Sequence, residues 1–190
     1  MSKLTADLHS IRADLDAAEA TAAKLAEGTS EAQANWQPNQ GRGWSICQCL
    51  DHLARMNVVY ATPMLEAVEM CDGEDRRPTN KIEPGWFEKR FIRSMEPLGG
   101  WRMKAPSKAM PASQGKLAAL VSEFTNSHAI ARALLQRGKG IDLNRVRFQN
   151  PFVRFLRFTV GTGLLVINAH DRRHLWQAEQ VKTSEGYPAS

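Results

Sequence analysis

The stretch Val160-Gly161-Thr162-Gly163-Leu164-Leu165-Val166-Ile167-Asn168-Ala169-His170-Asp171-Arg172-Arg173-His174-Leu175-Trp176-Gln177 decides how this chain is read. It opens on a predominantly apolar run, Val160 to Ala169, and turns charged at Asp171. The run is about half the length a membrane span needs, so it reads as a buried helix whose later turns carry chemistry. Thr159 stands at the N-cap position, and the helix is expected over residues 160–182 although Gly161 and Gly163 weaken it. On a helix, residues four apart sit one above the other, so His170 and His174 aim at one point. That is the geometry of two imidazole ligands to a divalent metal. The metalloprotease pattern H-E-x-x-H is not met, because no Glu follows His170 to act as general base. Gln177 lies on the same side one turn beyond His174, where it can hydrogen-bond a ligand. Asp171 sits one step off that face and is either a supporting group or an exposed charge, and Arg173 is expected to pair with an acidic neighbour.

Three further stretches share the helical period and none shows sustained strand alternation. Leu4, Leu8, Ile11, Leu15, Ala18, Ala22 and Leu25 mark a first helix over residues 3–27, closed by Gly28 as a left-handed cap. Ser45 and Gln48 form an S-x-x-Q capping box that opens a second helix, with Ile46, Leu50, Leu53, Asn57 and Tyr60 inward, running to about Met70 and stopped by Cys71-Asp72-Gly73. A third is expected from Ser113 to just before Gly138, and a loop through Asn150-Pro151 leads to the last. Residues 73–111 are rich in Pro and Gly and too long for a bland loop. A short helix over 86–95 interrupts them, and Trp86, Phe87 and Trp101 are candidates for pocket walls. The fold class is therefore all-α, a four-helix bundle over residues 1–182 with a long irregular connector between helices 2 and 3 and a polar, frayed tail over 183–190.

A catalytic metal site needs a third protein ligand and an open position. His52, on the second helix beside Leu50 and Leu53, is the candidate, since facing helices of a bundle can converge ligands in the core. The competing reading of His52 is a buried histidine bonded to a carbonyl. His128 follows Phe124 by four and is a candidate supporting group or fourth ligand, while His9 lies among polar neighbours at the surface.

The chain has 190 residues, 43% hydrophobic and 24% charged, which is ordinary for one globular domain and excludes wholesale disorder. Its three Cys do not form a disulfide framework, and Cys47 and Cys49, two apart, do not match a zinc spacing and read as small core residues. No apolar run follows Met1, so no signal peptide is expected and the cytoplasm is the expected location. The net charge of +5 raises nucleic acid as a partner. Arg145, Arg147, Arg154 and Arg157 alternate with Phe148, Phe152, Phe155 and Phe158, which reads as a solvated basic rim beside a Phe-rich core segment. No nucleic-acid motif accompanies them, so neither a specific nucleic acid nor a membrane is expected as partner. No P-loop, G-x-G-x-x-G or G-x-S-x-G is present, which removes the simplest nucleotide and serine-hydrolase readings.

Two segments carry a family resemblance. Trp36-Gln37-Pro38, followed by Gly43-Trp44-Ser45-Ile46-Cys47-Gln48-Cys49-Leu50-Asp51-His52-Leu53-Ala54, is similar to the W-S-x₅-H-L entry into helix 2 of the DinB-like/YfiT-like superfamily. Asn150-Pro151-Phe152, followed by His170-Asp171-Arg172-Arg173-His174-Leu175-Trp176-Gln177, resembles its H-[DE]-x-R-H-x-x-Q signature on helix 4, and residues 106–111 resemble the Pro-bounded connector before helix 3. The resemblance implies an up-down-down-up bundle with a divalent metal, nickel or zinc, held by His52, His170 and His174. It also implies a homodimer acting on a small-molecule substrate with a low-molecular-weight thiol, such as bacillithiol or mycothiol, as cosubstrate. The expected activity is thiol transfer to small electrophiles. The alternatives are hydrolysis by a metal-bound hydroxide and a non-enzymatic, stress-associated metal-binding or interaction bundle.

Overall fold

A computed structural model describes residues 6–71, 77–98, 109–112, 114–153 and 155–189. The expectations that fall on Lys3, Leu4, Asp72, Gly73, Trp101, Pro106, Ser113 and Arg154 lie outside the described residues. The chain is mostly helical: α1 (Leu8–Ala26), α2 (Glu31–Asn35), α3 (Pro38–Gly41), α4 (Ile46–Glu69), α5 (Trp86–Met95), α6 (Leu117–Ser127), α7 (Ala129–Arg137) and α8 (Val160–Lys182). A small antiparallel pair, β1 (Arg147–Gln149) and β2 (Arg157–Thr159), sits before α8.

Local capping explains the boundaries that bear on function. Asp7 Oδ1 accepts from the Ser10 N–H at 2.7 Å and starts α1, and Gly28, at φ +64°, lets the chain leave it. The Ser45/Gln48 box starts α4, with Ser45 Oγ accepting from the Gln48 N–H at 3.1 Å and Gln48 Oε1 accepting from the Ser45 N–H at 3.0 Å. Thr159 Oγ1 accepts from the Thr162 N–H at 3.1 Å and starts α8. Gly161 and Gly163 have a packing reason. A Cβ on Gly161 would lie 2.5 Å from Ile82 Cδ1, and one on Gly163 would lie 2.6 Å from Met64 Sδ and 2.9 Å from Phe148 Cε1. The helix therefore approaches its neighbours as only glycine allows.

The structure departs from the sequence reading in several places. The third helix is two, α6 and α7, joined at His128, with Ser127 Oγ turned back to donate to the Phe124 carbonyl at 2.6 Å. It starts at Leu117, whose N–H donates to Glu31 Oε1 at 3.1 Å, so its cap comes from α2 rather than from its own sequence. The Ser30/Gln33 capping box makes α2 a helix of its own. In the loop before α8, Phe148 and Phe158 pair across two three-residue strands, buried, while Arg147 and Arg157 stay exposed. The tail is docked rather than frayed: Tyr187 meets Trp36 edge-on at 5.7 Å, and Gln33 Nε2 donates to the Pro188 carbonyl at 3.0 Å.

Helix α4 packs against α8 and α6, α1 packs against the same two, and α5 lies along α8. Two apolar clusters fill the interior. One gathers Ile11, Leu15, Tyr60, Met64, Phe148, Phe158 and Leu164. The other gathers Ala22, Leu25, Leu50, Leu53, Phe124, Leu175 and Ala178. Along α4 they meet between Ala54 and Tyr60, and along α8 between Ala169 and Leu175. The buried polar residues Asn57 and Asp171 lie at that boundary, with His128 bonded to Asp171 and His52 just before it on α4. Among the described residues, no helix is long and apolar enough to cross a membrane.

Candidate metal centre

His52 comes from the second turn of α4, and His170 and His174 from successive turns of α8. Their ligating nitrogens all lie within 4.8 Å of one another. The ring centroids are 5.2 Å apart for His52–His170, 4.7 Å for His52–His174 and 4.5 Å for His170–His174. The competing reading of His52, a buried histidine bonded to a carbonyl, holds, and it is compatible with a ligand role. His52 Nδ1–H donates to the Ala109 carbonyl at 2.6 Å, which leaves the Nε2 lone pair for a ligand. His174 is oriented likewise, its Nδ1–H donating to Gln177 Oε1 at 3.0 Å. Trp44 forms a wall, 4.8 Å from the His52 ring and stacked on His174 at 5.6 Å.

The electrostatics favour neutral rings. Burial, then the neighbouring His52 and Arg173, push His174 down to about 3. Burial, then His174, His52 and Arg173, hold His170 well below the ordinary histidine value. Burial lowers His52 too, against the opposing pull of the Ala109 carbonyl and Asp51. Three imidazoles that stay unprotonated at neutral pH, two of them with the second ring nitrogen already committed to an oxygen acceptor, are a donor set that fits a divalent transition metal.

The other candidate residues divide. Gln177 joins the trio through His174. His128 spends both nitrogens on carboxylates, Nδ1 on Glu19 Oε1 at 2.8 Å and Nε2 on Asp171 Oδ2 at 3.0 Å, so it offers no lone pair to the centre. Asp171 is fully buried and accepts from His128 and from Asn57 Nδ2 at 3.1 Å. Arg173 Nη1 donates to the Ser94 carbonyl at 2.7 Å, tying α8 to the C-terminal end of α5. His9 is exposed. Cys47 and Cys49 are buried, and burial, reinforced by Glu31, raises the Cys47 thiol to about 11. Trp86 and Phe87 do not border the trio. They line an open groove of about 390 Å³ with Arg147, Arg157 and Phe158, next to the N-cap of α8 and some 16 Å of helix away from His170.

Sequence reasoning found Gln177 but missed the groups that hold His52 in place. The Ala109 carbonyl belongs to the connector, and Asp51 anchors that segment, its Oδ2 accepting from the Ala112 N–H at 2.6 Å while Oδ1 takes Arg55 Nε at 2.6 Å. The one available signal was an acidic residue beside His52 on a capped helix.

Helices that converge three neutral imidazoles on one point define a helical protein with a preformed metal-type centre. The chain belongs to the DinB superfamily, whose family profile matches residues 14–178. None of the curated proteins and none of the solved structures compared with it matches.

Proposed function

We propose that this DinB-superfamily chain is a metal-dependent enzyme that transfers a low-molecular-weight thiol to small electrophiles, with nickel or zinc held by His52, His170 and His174. The observation that carries the reading is the convergence of the three rings within 4.8 Å. The carboxylates next to two of them, Asp51 and Asp171, are committed to other partners. With neither of these two carboxylates free to act as a base, activation falls to the ion. When bound, a divalent ion supplies Lewis acidity, which lets a thiol lose its proton near neutral pH. The residues do the rest: Gln177 and the Ala109 carbonyl hold two ring nitrogens turned toward the centre, and Trp44 shields one side of it from water.

The proposed architecture is an up-down-down-up four-helix bundle, with α6 and α7 as its third member. Cross-helix pairs support this. Ile11 meets Asn168 and Asp14 meets Arg172, so α1 and α8 run the same way. Met64 meets Gly163 and Asn57 meets Asp171, so α4 opposes α8. Asp16 and Glu19 meet Arg132, with Glu19 also meeting His128, so the third member opposes α1. We further propose a cytoplasmic homodimer acting on a small molecule.

The test is elemental analysis of chelator-free protein beside His52→Ala and His174→Ala. About one metal per chain in the wild type, lost in both variants with helicity kept, followed by thiol consumption with an electrophile panel, is the expected result. Turnover without thiol would replace transfer by hydrolysis. A chain that takes up neither nickel nor zinc would overturn the reading.

A further inference from the structure

At the boundary between the two apolar clusters, a set of polar side chains ties all the long helical stretches together. Asp171 of α8 has both oxygens engaged, Oδ1 by Asn57 Nδ2 of α4 at 3.1 Å and Oδ2 by His128 Nε2 at 3.0 Å. Asn57 Nδ2 also reaches Ser127 Oγ of α6 at 3.2 Å. On its far side His128 donates to Glu19 of α1, which takes Arg132 Nη2 of α7 at 2.7 Å as well. Asn57, His128 and Asp171 are each no more than 2% exposed. Burying this much polarity in the core has a cost that only complete pairing offsets, and here the pairing is complete from α8 through His128 to α1.

The placement of the set along the helices is informative. Asp171 follows His170 directly and precedes His174 by three residues, while Asn57 lies five residues after His52, on the same helix. The Asn57–Asp171 bond therefore joins the two ligand-bearing helices within two turns of the ligands. Apolar ridges leave the fit of two helices with considerable scatter, and a slide by one residue moves a ligand by about 1.5 Å. Metal–ligand distances tolerate about 0.2 Å. Directional bonds between buried groups close that gap.

We propose that the Asn57–Asp171–His128–Glu19 set fixes the axial register of α4 against α8, and through it the spacing of His52 from His170 and His174, which makes Asp171 a positioning residue of the metal centre. The inference rests on the reading of the three imidazoles as metal ligands. It assigns no proton transfer to Asp171 or His128; their role is geometric. Asn at position 171 can keep that geometry, its amide oxygen accepting from Asn57 and its amide nitrogen donating to His128, whereas Ala cannot.

The experiment is titration with cobalt(II) chloride, followed by visible absorption, at a temperature well below every unfolding midpoint. It compares wild type with Asp171→Ala, Asn57→Ala, Asp171→Asn and Leu134→Ala. The last removes volume from the apolar cluster of Ile11, Met64 and Phe158, without touching the polar set, and controls for lost stability alone. Asp171→Ala and Asn57→Ala are expected to bind cobalt about tenfold more weakly or worse, with a displaced visible band. Asp171→Asn is expected to restore both properties, and Leu134→Ala to leave both unchanged. Wild-type affinity and spectrum in folded Asp171→Ala and Asn57→Ala would overturn the proposal. So would equal weakening in Leu134→Ala, or failure of Asp171→Asn to restore binding. If Asp171→Ala does not fold, Asn57→Ala and Asp171→Asn decide the matter. A wild type that takes up no cobalt fails at the earlier step, the metal reading itself, and removes this inference with it.

Discussion

Gln177 and the Ala109 carbonyl perform one task on two different rings, accepting a proton-bearing nitrogen so that the opposite nitrogen faces the centre. Replacing Gln177 by Leu leaves His174 free to turn or change tautomer. Zinc affinity, measured by competition with a chromophoric chelator, is expected to fall about tenfold, with helicity unchanged. His174 also links the centre to stability in acid. Its folded pKa of about 3 lies below the unfolded value of about 6.5. The stability linked to this ring is thus full above about pH 6.5 and declines toward 3, because only the unfolded chain takes up the proton. Between pH 6 and 5, metal-free wild type is expected to lose about 1 kcal/mol more stability than His174→Ala, read from urea unfolding in the presence of a chelator. The convergence of the three histidines was legible in sequence because two rings share one helix face and the third sits just after a capping box. The partners of His128 were not, since Glu19 and Asp171 lie 109 and 43 residues from it.

The elements separate by the range of the interactions that define them. Helices α4, α5 and α8 begin where the sequence says they do, because Ser45, Glu88 (accepting from the Gly85 N–H) and Thr159 each bond within one turn. The start of α6 was not readable, since its cap is Glu31, 86 residues away. The two strands escaped notice because three residues are too few to establish an alternation. Gly163 shows how packing overrides propensity. Alanine is favoured in a helix by about 1 kcal/mol, but here its methyl would press on the Phe148 ring edge and the Met64 thioether. Gly163→Ala is therefore expected to lower stability by about 1–2 kcal/mol, as a reduced midpoint in thermal unfolding.

At the scale of the molecule, the chain closes on itself at the end away from the β pair. The tail lays Tyr187 on Trp36 and gives the Pro188 carbonyl to Gln33, joining the last residues to the segment that leads into α4. Truncation after Lys182 is expected to cost about 1 kcal/mol and to change Trp36 fluorescence, whereas a frayed tail would leave both untouched. The helical character was legible because four periodic stretches each carry an apolar face that must be buried. The docking of the tail was not, because one anchor is a lone aromatic ring in a polar run and the other is a main-chain carbonyl. The hydrogen bond from His52 to Ala109 has a consequence for how this protein tolerates change. The acceptor is main chain, so exchanging Ala109 for another small residue such as Gly or Ser keeps it, while inserting one residue between Ala109 and Ala112 displaces it from the ring. Ordinary loops accept insertions readily; this one is expected to accept substitutions and reject insertions, visible as retained metal uptake in Ala109→Ser and its loss in the lengthened chain.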